Sequence, residues 1–372
     1  MPLLHKIAAV VVIFAVALGL WLPGDPGGGD SSDTARTSAG EREPGTRGPA
    51  GEPAAAAASA GPSKQAAPAP VATVQAAAPA AAAAKANELG QVPVLMYHRI
   101  IAKPELSLDR STTEFREELV RLAKEGYVPI TAGEFVTGNI NVPAGRHPVV
   151  LTFDDSTPGH FALDPQGRPK ADTAVAILQD VARQYPGFRA TATFYLNEEL
   201  FQLAGQESAG LKWLLQNGFE LGNHTLTHKD LSTLSKGEVQ KEIGAIESKV
   251  VSLTGTHTAT LAYPFGSAPD KKSWAEKKDG AYGFQGIFLA GWRPSISPHD
   301  ADFDRFAIAR VRSEGKIKEN DCKEFCSTAW LDKLKAQPAT RYTSDGDPRT
   351  ITFPRPEEDR LAKDLRGRGR VY

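Results

Sequence analysis

The stretch VVLTFDDSTPGHF, residues 149–161, runs an apolar segment into two adjacent carboxylates, Asp154 and Asp155. A short apolar run bounded by turn residues reads as a buried strand, and in parallel α/β folds chemistry gathers where such strands end. Two like charges at that place repel each other and lose hydration, so each raises the other's pKa unless something positive lies between them. A surface turn would hold both in water, whereas a cation would hold them together. The rest of the chain decides between these readings.

Outward from this strand the texture alternates. VPVLMYH, ATATFYLN, GFELGNH, TATLAYPFG, GFQGIFLAG and RFAIARVR are further apolar segments of strand length. Helical patterns lie between them: Thr112–Lys124, opened by a capping box of Ser111 and Glu114; 171–184; and 236–253, opened by Ser235 and Glu238. Strands alternating with helices predict a mostly parallel sheet, open or closed into a barrel, over residues 91–345.

The flanks are different. Residues 1–23 carry one Lys and then an apolar run from Ile7 to Leu22, which reads as a signal anchor or a cleaved signal peptide and implies export, membrane-anchored facing outside or secreted. Residues 24–90 are dominated by Ala, Pro, Gly, Ser and Thr, with too few large apolar side chains to offset chain entropy, so a disordered linker is expected. Residues 346–372 read as a loose charged tail. The 372-residue chain has a net charge of −1, which gives no electrostatic footprint for nucleic acid, and a monomer is expected. Its two cysteines, Cys322 and Cys326, are read as a local disulfide suited to an exported protein.

Two further stretches offer partners for the aspartates. GFELGNHTLTHKDLS places His224 and His228 four residues apart at the end of an apolar segment. Two histidines and one carboxylate make a three-ligand site with an open position, the layout of catalytic zinc. If Asp155 is the third ligand its charge is neutralised, and Asp154 can stay ionised beside it as a base. TLAYPFGSAP, residues 260–269, ends a strand in Pro-Phe-Gly, a turn able to aim the N–H groups of Phe265 and Gly266 at a ligand. HTLTH lacks the Glu base of a metalloprotease H-E-x-x-H.

In this order TFDD, HTLTH and YPFG resemble the motifs of the polysaccharide deacetylases with a NodB-type domain, also called carbohydrate esterase family four. The resemblance covers about residues 92–345 and implies a distorted (β/α) barrel. It also implies a divalent metal, usually zinc, held by Asp155, His224 and His228, with Asp154 as general base and the Phe265 N–H in the oxyanion site. Three departures stand out. Asp155 is followed by Ser156 where Gly is usual; Ala262 stands where an Arg often tethers the base; and the late strand RFAIARVRS lacks the usual leucine-then-histidine motif. VLMYH, at the start of the domain, has that form instead, as in the circularly permuted branch that includes poly-N-acetylglucosamine deacetylases, where this histidine, here His98, is the general acid. A closed barrel would bring the first and last strands together.

The implied reaction is hydrolytic N-deacetylation of an N-acetylglucosamine-containing polymer outside the cell, cell-wall glycan or exopolysaccharide, releasing acetate. A polysaccharide O-acetyl esterase and a non-catalytic glycan-binding domain are the alternatives. His160 is a candidate to face substrate, and Trp292 either walls the acetyl pocket or packs in the core.

Overall fold

The computed structural model describes residues 73–314 and 322–372, without the side chain of Cys322. The described chain enters through β1 (Gln75–Ala76) and α1 (Pro79–Ala83), followed by β2 (Val94–Tyr97) and the short pair β3 (Ile100–Ile101) and β4 (Arg110–Ser111). α2 (Thr112–Lys124) starts where expected: Ser111 Oγ accepts the Glu114 N–H, and the Glu114 carboxylate accepts the Ser111 N–H. β5 (Tyr127–Ile130), α3 (Ala132–Val136) and β6 (His147–Phe153) come next. Then α4 (Ala174–Gln184), β7 (Thr193–Leu196), α5 (Glu207–Gln216), β8 (Glu220–Asn223), α6 (Lys236–Thr254) and β9 (Thr260–Ala262) alternate as the apolar pattern predicts. α7 (Ser273–Glu276) and the hairpin of β10 (Lys277–Lys278) and β11 (Tyr282–Gly283) lead to β12 (Gly286–Phe288) and β13 (Val311–Arg312). α8 (Cys322–Phe325), α9 (Ser327–Ala336), β14 (Ile351–Phe353) and β15 (Gly369–Val371) complete it.

The principal sheet is parallel and runs β12-β9-β8-β7-β6-β2-β13. Closure into a (β/α) barrel is not what the chain adopts. The end strands β12 and β13 share no ladder, and isolated bridges, Phe288 with Ile308 and Trp292 with Val311, cross the gap. The sheet is therefore curled but open. β6 is also forked. β2 runs along one edge, while β5 pairs with its first half, His147 to Val150, and β7 with its last residues, Thr152 and Phe153, on the other. Pro129 inside β5 lacks an N–H, which suits a strand paired on one side alone.

Period-2 alternation sorts the core. Leu95, Tyr97, Leu151, Phe153, Phe194 and Leu196 face outward against the helices. Val94, Val150, Tyr195, Ala262 and Phe288 fill the inside of the curl. Counting on from Val150 and Thr152, Asp154 falls on that inner face, at the carboxyl end of β6.

Both expected loose flanks are ordered where described. Ala86, Glu88 and Leu89 are fully buried, and β1 joins β15 and β14 in a separate parallel sheet. Leu89 packs with Ile351, Phe353, Leu361 and Val371 in a small core of their own. The linker therefore gives way to folded chain before residue 90, and the stretch after 345 is not a loose tail.

Among the described residues no helix is long and apolar enough to cross a membrane. The signal anchor expected over residues 1–23 lies outside the described residues. A membrane-spanning segment, a membrane as partner and a membrane-anchored placement are accordingly not retained. Cys326 is buried at the N-cap of α9, and its expected bridge to Cys322 remains a reading of the sequence.

Candidate metal centre and active site

The inner-face aspartate is anchored before any ligand is considered, since the Asp154 N–H donates to the Tyr97 carbonyl at 2.9 Å. The chain then turns through Asp155 and Ser156, both with left-handed backbone, φ 74° and 42°. Ser156 occupies a position where glycine would be unstrained; its hydroxyl donates to Asn197 Oδ1 at 3.0 Å. At the end of β8 the same device recurs: His224 is followed by Thr225 at φ 64°, and His228 sits at φ 55°. HTLTH is thus a strained loop rather than a helix. Asn223 Oδ1 accepts the Thr225 N–H, and the buried Glu242 carboxylate accepts the Thr227 N–H and hydroxyl. Phe265, at φ 59°, is the fifth such residue here, of nine non-glycine left-handed residues in the described chain. Each costs on the order of 1 kcal/mol and persists because its surroundings enforce it, a pattern that accompanies functional sites.

These turns bring three ligand atoms together. Asp155 Oδ1 lies 3.5 Å from His224 Nε2 and 3.5 Å from His228 Nε2, and all three ligand atoms fall within 4.8 Å of one another. Ligands at about 2.1 Å in tetrahedral array stand roughly 3.4 Å apart, so the spacing fits a divalent ion. His224 Nδ1–H donates to the Ala262 carbonyl at 2.8 Å, which fixes the tautomer and leaves Nε2 to face the cluster. Burial alone would lower the His224 pKa, but Asp154 and Asp155 outweigh it and raise it. His228 is pushed down, first by burial and then by His224. The donor set and its spacing therefore suit a divalent metal ion.

Asp154 has a different partner. Arg310, fully buried, donates from Nη1 to Asp154 Oδ1 at 2.7 Å and from Nη2 to Oδ2 at 2.8 Å. Its remaining donors reach the Leu289 carbonyl at 2.7 Å and Thr152 Oγ1 at 3.1 Å. Burial pushes the Asp154 pKa up; Arg310, then His224, reverse this and hold it far below the usual carboxylate range. The tether that Ala262 cannot supply thus comes from just before β13. Sequence reading took RFAIARVR as a strand and missed this arginine. The available signal was a charged residue within a run read as buried.

The cluster opens into a cavity of about 430 Å³ lined by Asp154, Asp155, His224, His228, His98 and Phe265, and also by Tyr263 and by Leu106 to Asp109 from the loop before β4. That loop was not singled out in the sequence. His98 follows β2 directly; burial lowers its pKa, with Asp154 and Asp155 opposing. The Phe265 ring is 66% exposed, stacked edge-on to His228 at 4.6 Å between centroids, so it is not a core residue. The Gly266 N–H is spent on the Tyr263 carbonyl at 3.0 Å, so of the two N–H groups expected to point at a ligand the Phe265 N–H is the candidate donor. Trp292 is neither packed in the core nor part of the cavity lining: it is 62% exposed, and its carbonyl accepts the Trp330 Nε1–H at 2.6 Å. His160 is fully buried and does not line the cavity.

Residues 141–284 match the family described as polysaccharide deacetylase, a span that contains all three motifs. YxkH of Bacillus subtilis (strain 168), provisionally named a polysaccharide deacetylase, is 23% identical over 232 residues, 61% of this chain and 73% of its own length. Among solved structures, BC0361, a polysaccharide deacetylase from Bacillus cereus, matches with a TM-score of 0.50 at 22% identity, over 66% of this chain and 69% of that one. The Streptococcus pyogenes deacetylase PplD, solved in complex with acetate, is similar at a TM-score of 0.48 and 21% identity, over 60% of this chain and 92% of its own. The matched span and the triad within it support a polysaccharide deacetylase domain of NodB type over that part of the chain, and the protein is a metal-dependent hydrolase acting on carbon–nitrogen bonds.

Proposed function

We propose that this chain removes N-acetyl groups from a polysaccharide containing N-acetylglucosamine, with zinc as its metal. The carrying observation is that a metal triad and a second, separately neutralised carboxylate share one cavity. Asp155, His224 and His228 would hold the ion, which when bound supplies a Lewis acid for the acetyl carbonyl and lowers the pKa of water. Asp154, kept ionised by Arg310, takes the proton of the attacking water as general base. The Phe265 N–H donates to the oxyanion that forms as water oxygen bonds to the carbonyl carbon. His98 as imidazolium protonates the leaving nitrogen, the C–N bond breaks, and acetate and a free amine result. The place of His98, directly after β2 and lining the cavity, supports the permuted branch over the common arrangement. A binding module has no need of a base held ionised beside a ligand triad.

Because burial lowers the His98 pKa, the imidazolium fraction falls as pH rises, from a point below the ordinary 6.5. That downward shift also favours the runner-up, a polysaccharide O-acetyl esterase, since an ester leaving group needs less help from an acid. Acetate release from a panel of N- and O-acetylated glycans by metal-loaded protein separates the two; release from O-acetylated glycans alone would overturn the amide reading. His224→Ala is expected to lose most bound metal and activity, whereas Asp154→Asn keeps the metal and loses about 10²-fold or more in rate. Full metal occupancy in His224→Ala would refute the ligand assignment.

A further inference from the structure

His98 is placed at a weak point. The β2 ladder ends at Tyr97, and His98 Nδ1 is buried without a hydrogen-bond partner, so the imidazole is not aimed by any bond at that nitrogen. Its orientation depends on its backbone. The segment just after the aspartates supplies what the ladder does not. His160 Nε2 bonds the His98 carbonyl, and because a carbonyl only accepts, Nε2 carries the proton. The His160 ring packs against the stacked pair Phe153 and Phe194, centroids 5.2 and 6.2 Å away, and burial holds its pKa down to about 4, so it is neutral. Its Nδ1 is buried without a partner, which leaves the His98 carbonyl as the side chain's one hydrogen bond among the described residues. A buried imidazole with half its polar capacity unmet is unfavourable as mere filler, where a Phe would pack without that loss.

The same segment grips the next residues. Gly159 lies so close to Ile100 that an added Cβ would stand 2.0 Å from the Ile100 carbonyl oxygen. Behind it, the Gly159 and His160 carbonyls accept the Ala174 and Val175 N–H groups at the start of α4, which ties the segment to a rigid helix.

We infer that residues 156–160 form a clamp that positions His98, with His160 as the positioning residue. The inference rests on the reading of His98 as general acid. It gives a reason for the extended STPGH sequence where glycine is usual after Asp155.

The test compares N-deacetylation with hydrolysis of an activated acetyl ester, whose leaving group needs no proton, in metal-loaded full-length protein. His160→Phe is expected to lower kcat for the amide about tenfold or more, with KM, metal content and ester hydrolysis changed less than about threefold. His160→Gln, which can present an N–H at the same place, is expected to restore the amide rate to within about threefold of the parent. Adding His98→Ala to His160→Phe is expected to bring no loss beyond that of His98→Ala alone, because the two act through one proton transfer. Equal losses on amide and ester, or no loss, would overturn the clamp. An amide-selective loss in His98→Ala without one in His160→Phe would remove the clamp and leave the acid in place. No amide-selective loss in His98→Ala would remove both. Should His160→Phe fail to fold by circular dichroism, Gly159→Ala carries the same test, with the same amide-selective loss expected from displacement of the segment.

Discussion

Asp154 and Glu88 are both 2% exposed, yet the protein holds them in opposite states. Asp154 sits at the carboxyl end of β6 with a guanidinium against both oxygens, and its pKa lies far below the ordinary range. Glu88 sits between the N-terminal segment and the far end of the chain. It accepts hydrogen bonds from the Thr352 N–H at 2.8 Å, the Tyr342 hydroxyl at 3.2 Å and the Asp345 N–H at 3.3 Å. Burial, reinforced by the Asp345 carboxylate, pushes its pKa up to about 8 against those donors. Burial raises both groups. Neutral donors do not undo that, and one well-placed cation does.

Removing the cation should make Asp154 behave like Glu88. Arg310→Met is expected to cost about 3 to 5 kcal/mol of stability, because the carboxylate is left buried and unpaired, and about 10²-fold or more in kcat as Asp154 takes up a proton. Its acid limb of activity should move to higher pH. Chemical denaturation and pH–rate profiles read both effects, and unchanged values would refute the role given to Arg310.

The reverse behaviour is expected at Glu88. Its folded pKa is raised, so between pH 4.5 and about 8 the native state holds a proton that the unfolded chain releases. The contribution of Glu88 to stability is then greatest below 4.5 and declines with rising pH across that window, by on the order of 5 kcal/mol. Glu88→Gln should flatten this slope, as measured by urea unfolding from pH 4 to 9; a slope that survives would mean another group carries it.

The smallest effect sharpens the same contrast by testing whether Glu88's surroundings belong to the domain at all. Leu89→Ala is expected to cost about 2 to 3 kcal/mol by leaving a cavity among Ile351, Phe353, Leu361 and Val371, with kcat unchanged. A thermal midpoint equal to the parent's would show that the residue contributes nothing to the fold.

The two carboxyls also differ in how legible they were. TFDD and HTLTH are local: apolar run, then ligands, within a few residues, and the structure brings Asp155, His224 and His228 together. The capping boxes of α2 and α6 were readable for the same reason. Arg310 was not, because its meaning lies in Asp154, distant in sequence and met only once the sheet curls. Openness of the sheet was hidden likewise, since the spacing of strand and helix patterns is the same whether or not β12 and β13 pair. Residues 73–90 were misread because their composition predicts too little burial to offset entropy, and composition does not show a strand partner near residue 370. Asp154, Asp155, His224, His228 and His98 line one cavity as the motifs imply, while the loop before β4 adds a wall that no motif marks.

The pairing of Gln75 with Arg370 and of Ala76 with Val371 constrains the order in which the molecule can be finished. During synthesis the principal sheet has its strands once residue 312 has emerged, but β1 must wait for β15 and β14, and Glu88 and Leu89 have no complete site before then. Contacts so distant along the chain form late and slowly. Until they do, the nascent protein presents an apolar Leu89 and an unpaired strand edge, so the interval between translation of β13 and of β15 is its window of exposure to proteases and to partners that bind incomplete sheets.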